Sequence, residues 1–465
     1  MKEKYFQFIK NYNELIEHAS IENREVRIKA LKLIEKGLKA ADPERAVKNH
    51  LKIIGKKLII NGHIFEIDKF NGIYVIGAGK ASGKMAKAIE EILSDHINSG
   101  IVIVPKRLEI EVKKIKLIEG DHPIPSRINV KGAIEIVRLI EEAEKNSLII
   151  SLISGGGSAL LTLPAENITL EEISEITQQL LRSGADIKEI NTVRKHLSQV
   201  KGGQLARKIY PRQLISLIIS DVVGDPIDMI ASGPTAPDPT TFRDAYNILR
   251  KYGLWEKVSQ NIRKRIERGI SCEIMETPKK DDITFTRVLN FIIASNLTAL
   301  KAIKKEAQKN GLNTIILSSQ IEGEARHVGK FFSSIVKEVK NSCNPIKPPA
   351  SIIGGGETTV KVVGNGLGGR NQELALSAAI SIEGLEGIAI VAVGSDGIDG
   401  ITDAAGAIVD GETIIKAKKS GLDPTQYLRN NDSYTFFKKL GGSLIYTGVT
   451  GTNVNDFILG IIENK

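Results

Sequence analysis

Two periodicities alternate along this chain. Up to Lys52, apolar residues recur every three to four positions among Lys, Arg and Glu, with Ile21, Ile28, Leu31, Ile34 and Leu38 on one broad side. That spacing predicts an amphipathic helix covering a sheet. Farther on, the pattern becomes short β-branched runs: Ile73 to Ile76, Ile101 to Val104, Leu148 to Ile153 and Leu214 to Ile219. Helical segments follow Lys80, Val130, Leu170 and Asp186. Runs that are apolar throughout, rather than alternating, belong to strands buried on both faces, so a doubly wound parallel α/β sheet is expected.

Chain breakers concentrate at Ser232-Gly233-Pro234-Thr235-Ala236-Pro237-Asp238-Pro239, and two polar helices, Thr241 to Lys251 and Glu256 to Arg268, lead to a stretch of low hydrophobicity ending near Asp282. A domain boundary is placed there, giving residues 1–240 and 241–465. The second region again alternates. Strands are expected at Phe291 to Ala294, Thr314 to Leu317, Ala350 to Ile353, Thr358 to Val363 and Ile388 to Val393, with helices after Asn296, Glu322 and Asn371. The simplest layout is two α/β lobes with a cleft between them.

Composition narrows the function classes. At 465 residues, 42% hydrophobic and 26% charged, the chain is long enough for two or three ordinary domains. Its two cysteines, Cys272 and Cys343, stand far apart, which supports neither a disulfide framework nor a thiolate metal site and makes a reducing cytoplasm the expectation. The opening Met1-Lys2-Glu3-Lys4-Tyr5 has no apolar leader, and runs such as Leu214 to Ile219 are too short to span a bilayer. The net charge of +9 suits anionic partners. Aromatics are only 5%, and Arg263-Lys264-Arg265, Lys279-Lys280 and Lys416 to Lys419 lack interleaved stacking residues, so they read as solvated helix faces and not as a nucleic-acid surface.

Three glycine-dense segments carry the candidate chemistry: Gly77-Ala78-Gly79-Lys80, Ser154-Gly155-Gly156-Gly157-Ser158, and Gly364 through Gly369 leading to Arg370. Backbone N–H groups reach an oxyanion only where side chains are absent, and a nearby cation supplies charge. The first segment is not a Walker A loop, because Gly77 and Gly83 are six apart and Lys84 precedes Met85; nor is it a dinucleotide fingerprint, because its third glycine comes one residue late. Lys80 at a helix start opposes the helix dipole unless an anion neutralises it, and reads as anion-binding. The second segment lacks the G-x-S-x-G of a serine hydrolase and reads as an oxyanion cradle.

Asp221 and Asp396 each follow an apolar strand, where a carboxylate could hold Mg²⁺ or accept a proton from a substrate hydroxyl, with turn and N-cap chemistry as the alternative. For Asp399 and Asp403 the two readings stand level. Arg370, after paired glycines at a helix start, is suited to bidentate contact with a phosphoryl group or carboxylate. His122, in Gly120-Asp121-His122-Pro123-Ile124-Pro125, reads as a structural histidine in a proline-rich turn.

These motifs together resemble the type 2 glycerate kinases, whose C-terminal lobe is the MOFRL domain. The resemblance runs through Gly77-Ala78-Gly79-Lys80-Ala81, Gly120-Asp121-His122-Pro123, Ser154 to Ser158, Asn191 to Ser198 with Lys201-Gly202-Gly203, and Ser220-Asp221-Val222-Val223-Gly224-Asp225-Pro226. It continues through Ser232-Gly233-Pro234-Thr235, Gly355-Gly356-Glu357, Gly368 to Glu373, Ser395 to Gly400 and Thr450 to Asp456. It departs from the family at Gly448-Val449, where Gly-Pro is usual, and in a longer N-terminal portion. The resemblance implies a Rossmann-like N-terminal lobe, a MOFRL lobe and an active site in the cleft between them. It implies ATP- and Mg²⁺-dependent phosphorylation of D-glycerate, with 2-phosphoglycerate as product in archaeal and several bacterial members, and leaves a homo-oligomer open. Lys80 and Arg370 would be the catalytic pair. Gly79 and the Ser154, Gly155, Gly156, Gly157, Ser158 turn would hold substrate or phosphate oxygens, with Arg194 a further carboxylate partner and Asp221 and Asp396 the metal candidates. The competing classes are an NAD(P)-dependent hydroxypyruvate reductase, which wants an acidic ribose-binding residue at a strand end where only Asp95 lies near, and a non-catalytic sugar-phosphate-binding protein.

Overall fold

The computed structural model describes residues 6–106 and 110–464 and divides into two compact units, Pro43–Ile293 and Met1–Asp42 with Ala294–Lys465. The opening Met1–Tyr5, read above for the absence of a leader, lies outside the described residues. Among the described residues no helix is long and apolar enough to cross a membrane. Cys272 and Cys343 are both free and exposed.

The Pro43–Ile293 unit begins with a small antiparallel sheet of β1 (Leu51–Ile54), β2 (Lys57–Ile60) and β3 (His63–Glu66). Its main sheet holds β4 (Ile73–Ala78), β5 (Ile97–Pro105), β6 (Ile115–Gly120), β7 (Leu148–Ile153), β8 (Gln213–Ile219) and β9 (Val288–Ala294), in the order β6-β5-β4-β7-β8-β9. The ladders joining β6 to β5, β5 to β4, β4 to β7 and β7 to β8 are all parallel, as the unbroken apolar runs predicted. Every residue of β7 is buried, and the helix Arg127–Glu142 closes one face through Ala133, Ile136 and Ile140. From β4 the chain steps outward to β5 and β6, then returns to β4's other side for β7 and β8. Strand order therefore reverses between β4 and β7, the place where an open parallel sheet leaves a crevice at its carboxyl ends.

The division falls elsewhere than at 240/241. Helices Phe242–Lys251 and Gln260–Ile270 stay with the first unit, where Phe242, Leu249, Ile262 and Ile266 join Ile190 and Val193 of helix Ile187–His196 in one apolar cluster. The breakers at 232–239 thus turn the chain within a unit; they do not end one.

The other unit is built on β10 (Asn313–Glu324), β11 (Ala350–Thr359), β12 (Ile388–Gly394), β13 (Gly406–Asp410), β14 (Leu444–Ile445) and β15 (Asp456–Ile462), ordered β10-β11-β15-β12-β13-β14. Only β10 and β11 are parallel; the other ladders are antiparallel because β15 inserts between β11 and β12. The two strands expected at 350–353 and 358–363 are one continuous β11, and 360–363 carries none.

The N-terminal helix does cover a sheet, but this one. Helix Ile21–Ala41, capped by Ser20 Oγ accepting from the Asn23 N–H at 3.3 Å, buries Val26, Ala30, Leu31, Leu33, Ile34 and Leu38, while Ile21 stays exposed. It packs against helix Asn296–Lys309, β12 and β15. Arg27 on it is buried and donates to Asp410 at 2.6 Å and to the Gly442 carbonyl at 2.6 Å. Glu35, fully buried, accepts the backbone N–H groups of Gln7, Phe8 and Ile9 at 2.6, 3.2 and 3.1 Å. Charged acceptors hold such bonds more tightly than neutral ones, so Glu35→Gln is expected to cost about 1–2 kcal/mol, read as a shifted denaturant midpoint with an unchanged slope.

Candidate active site

Two adjacent strands place the first group of side chains at the reversal of strand order. β4 leads into Gly79, whose φ of +146° and whose approach to Ser154 exclude a side chain: an added Cβ would stand 2.1 Å from Ser154 Oγ. Lys80 follows, and helix Ser82–Leu93 begins. β7 ends in Ser154–Gly157, whose turn passes through Gly156 at φ +80° into the single helical turn Gly157–Leu160.

The two turns are laced together. Lys80 N–H donates to the Gly155 carbonyl at 2.8 Å and Ala81 N–H to Ser154 Oγ at 3.0 Å, while Gly79 N–H donates to Ile103 at 3.2 Å. Ser154 is buried and its hydroxyl also meets Ser82 Oγ at 3.1 Å. Gly79 and Ser154 therefore shape the site and turn their polar groups inward. What faces outward is the Lys80 side chain, which is exposed and has no carboxylate partner among the described residues. An added Cβ at Gly156 would lie 3.2 Å from Lys80 Cγ and 3.0 Å from His122 Cδ2, and one at Gly155 would strike the Asp221 carboxylate. The structure thus gathers Lys80, Gly155, Gly156, Asp221 and His122, the last read from sequence as structural. Desolvation and then the Lys80 ammonium hold the His122 imidazole below the ordinary histidine value, so it is neutral at pH 7.

Gly156→Ala tests this packing. The left-handed backbone alone costs an L-residue about 1–2 kcal/mol, and the new methyl must displace Lys80 or His122. Turnover is expected to fall roughly tenfold or more, beyond what the lowered melting temperature explains, measured as kcat well below the transition.

Beyond Gly157 stands a polar wall. Ser158 Oγ and Ser232 Oγ are 2.8 Å apart, and Ser232 Oγ donates to Asn191 Oδ1 at 3.0 Å. Ala231, Ser232 and Gly233 take φ of +52°, +62° and +61° in succession. Such backbone strain in non-glycine residues persists only where surrounding structure enforces it, and it concentrates at functional sites. Arg194 Nη2 donates to the Ser158 carbonyl at 2.8 Å.

The second group lies in the other unit. The glycines of 364–369 are consumed by packing, which corrects their reading as a phosphate cradle. The N–H groups of Gly364, Asn365, Gly366 and Leu367 donate to Asn431 Oδ1, Asn430 Oδ1, the Asn430 carbonyl and Asp432 Oδ1, and side chains at 364, 366 or 368 would collide with 430–433. Arg370 opens helix Arg370–Ser381 and is already engaged: Nε and Nη2 donate to Asp456 at 2.6 and 3.0 Å, and Nη1 to Glu357 at 2.8 Å. Three of a guanidinium's five N–H donors are used, leaving two. Asp399 is structural: buried, it accepts the Asn371 and Gln372 N–H groups at 3.1 and 2.8 Å, capping the helix that carries Arg370. Asp403 accepts from Tyr434 Oη at 2.7 Å. A cavity of 570 Å³ opens beside Arg370, lined also by Thr358, Glu373, Asp396, Ile398 and Ile401. Asp396 there is half-buried and accepts the Ile398 N–H at 3.1 Å, an Asx turn.

Among the described residues no three His, Cys, Asp or Glu side chains stand together as a metal site. Mg²⁺ held against nucleotide phosphates needs only one or two carboxylates, the rest of its shell being phosphate oxygens and water. Asp221, beside the Gly155 turn, meets that requirement.

Known proteins match this chain over most of its length. Residues 29–267 match the model of a domain of unknown function, DUF4147, and residues 350–456 match the MOFRL family. A glycerate 2-kinase of Pyrococcus horikoshii is 48% identical over 95% of this chain and 98% of its own. A D-glycerate 2-kinase of Thermotoga maritima is 43% identical over 93% and 97%. A crystal structure of glycerate kinase from Thermotoga maritima superposes with a TM-score of 0.85 at 42% identity, covering 94% of this chain and 99% of that one.

Proposed function

The chain belongs to the glycerate kinase family that carries the MOFRL domain, and from that membership we propose that it transfers the γ-phosphoryl group of ATP to D-glycerate, giving 2-phosphoglycerate and ADP. The observation that carries this reading to the residues is the gathering of Lys80, the Gly155–Ser158 turn and Arg194 where strand order reverses, on a chain nearly half identical to a glycerate 2-kinase.

In the step proposed, the C2 hydroxyl oxygen attacks the γ-phosphorus in line, the bond from phosphorus to the β,γ-bridging oxygen breaks, and the hydroxyl proton leaves to solvent or a nearby base. Such transfers need little covalent help from protein; they need positioning and charge neutralisation. Lys80, uncommitted to any carboxylate among the described residues, supplies positive charge to the migrating group. Arg370 supplies its two remaining N–H donors to the same transfer, while Asp456 and Glu357 fix its plane. Arg194 and Ser158 orient the acceptor. Mg²⁺ would be held by Asp221 and would neutralise phosphate charge; Asp396 is the second carboxylate proposed for it. A reaction that spends ATP accords with a cytoplasmic setting and with two unpaired cysteines.

The test is ADP release by purified protein with D-glycerate, ATP and Mg²⁺, with the product passed to enolase in the absence of phosphoglycerate mutase. Glycerate-dependent ADP release together with direct enolase turnover is the expected result. ADP release independent of glycerate, or NADH oxidation with hydroxypyruvate, would overturn it.

A further inference from the structure

A buried lysine and a half-buried arginine stand without counterions among the described residues behind the Gly155–Ser158 turn. Lys201 is only 3% exposed, and its Nζ donates to the carbonyls of Ser158 at 2.6 Å and Leu161 at 2.8 Å. Arg194 donates to the same Ser158 carbonyl, and its Nε is buried with no hydrogen-bond partner. Neither meets a carboxylate among the described residues. Their neighbour Lys195 shows how this fold treats a lysine that it merely buries: its Nζ lies 3.3 Å from Asp228 and 3.2 Å from Asp238. Capping the carbonyl end of a one-turn helix calls for donors, not for two formal charges, and like charges converging on one oxygen raise the cost of burying both. The arrangement balances only when an anion joins it.

We propose that Lys201 is a further substrate-positioning residue, which with Arg194 receives the carboxylate of the hydroxy acid acceptor. This rests on the glycerate kinase reading above. Arg194 is partly exposed and offers the unpartnered Nε; Lys201 supplies charge from behind and holds Ser158 in place. The charge acting on Lys201 is Arg194; the adjacent Lys195–Asp228–Asp238 cluster sets one ammonium between two carboxylates and keeps a net negative charge, directed first at Lys195. Burial first, and then Arg194, push the Lys201 ammonium well below the ordinary lysine value. A carboxylate arriving beside it acts against that shift and favours the ammonium.

Lys201→Met is expected to raise the KM for glycerate by about 10- to 100-fold, the worth of a charge-assisted hydrogen bond, while the KM for ATP stays within about twofold and Lys201→Arg recovers most of the loss. Titration calorimetry with D-glycerate should show Lys201→Met binding about 10- to 100-fold more weakly than wild type, a loss that Lys201→Arg mostly restores. A folded Lys201→Met with unchanged glycerate KM and affinity, or a rise confined to ATP, would overturn the proposal. Wild-type failure to turn over glycerate would sink the kinase reading itself, so the two failures are told apart by the wild-type assay.

Discussion

Lys80→Ala is expected to cut turnover by about 10² or more while the protein keeps its melting temperature. The side chain is exposed, so its removal opens no cavity in the core. The backbone of its turn is held independently, through the Lys80 N–H to Gly155 and the Ala81 N–H to Ser154 Oγ, and those bonds survive the substitution. What disappears is an ammonium that no carboxylate among the described residues engages, and charge developing on a transferring phosphoryl group is where a preorganised cation counts most. The loss should therefore appear mainly in kcat. The check is steady-state kinetics beside circular dichroism and a thermal scan; a folded variant with near-normal turnover would remove Lys80 from the mechanism.

Arg370→Ala should lose activity by a comparable factor and, unlike Lys80→Ala, should also lose stability. Asp456 is 3% exposed and receives two of the arginine's hydrogen bonds, so truncation strands a buried carboxylate. Breaking such a pair from one side costs about 3–5 kcal/mol, and the partial exposure of the guanidinium places this case near the lower figure. Burial pushes the Asp456 carboxyl up to about 7 even with Arg370 pulling it down. A carboxyl raised on folding gives the folded state its full benefit below the ordinary aspartate value of roughly 4, and that benefit is lost as pH rises toward 7. Without Arg370 only the Asn371 side chain opposes the burial, so the deficit against wild type should be larger near pH 8 than near pH 5. Denaturant unfolding at the two pH values reads this directly, and a deficit that grows as pH falls would refute the assignment.

The candidate site was legible in uneven measure. Lys80 and Ser158 could be named because glycine-rich turns after apolar runs are local signals, and parallel sheets place their turns at one edge, whereas Arg194 rested on the family resemblance alone. Lys201 sat unremarked in a motif, since a lysine before two glycines looks solvated until the chain returns it beneath Ser158. Asp456 also lay inside a recognised motif without a role: its partner is 86 positions away, and no spacing rule links them. The prolines around His122 hide its approach to Gly156, which brings together the turns after β6 and β7, strands that the sheet order separates by two others. The glycines of 364–369 misled in the opposite direction, since absent side chains serve a close backbone crossing as well as an anion.

For this protein, the order of residues alone determined the buried parallel strands, the turns that follow them and the cationic character of the first site, because each depends on neighbours within about ten positions. Only the tertiary structure decided that the first helix belongs with β12 and β15, that β15 divides β11 from β12, and which carboxylates occupy Arg370. The physical reason is range. Periodicity states that a face will be buried, but which surface buries it, and which charge it meets there, is settled by contacts whose partners lie far apart in the chain.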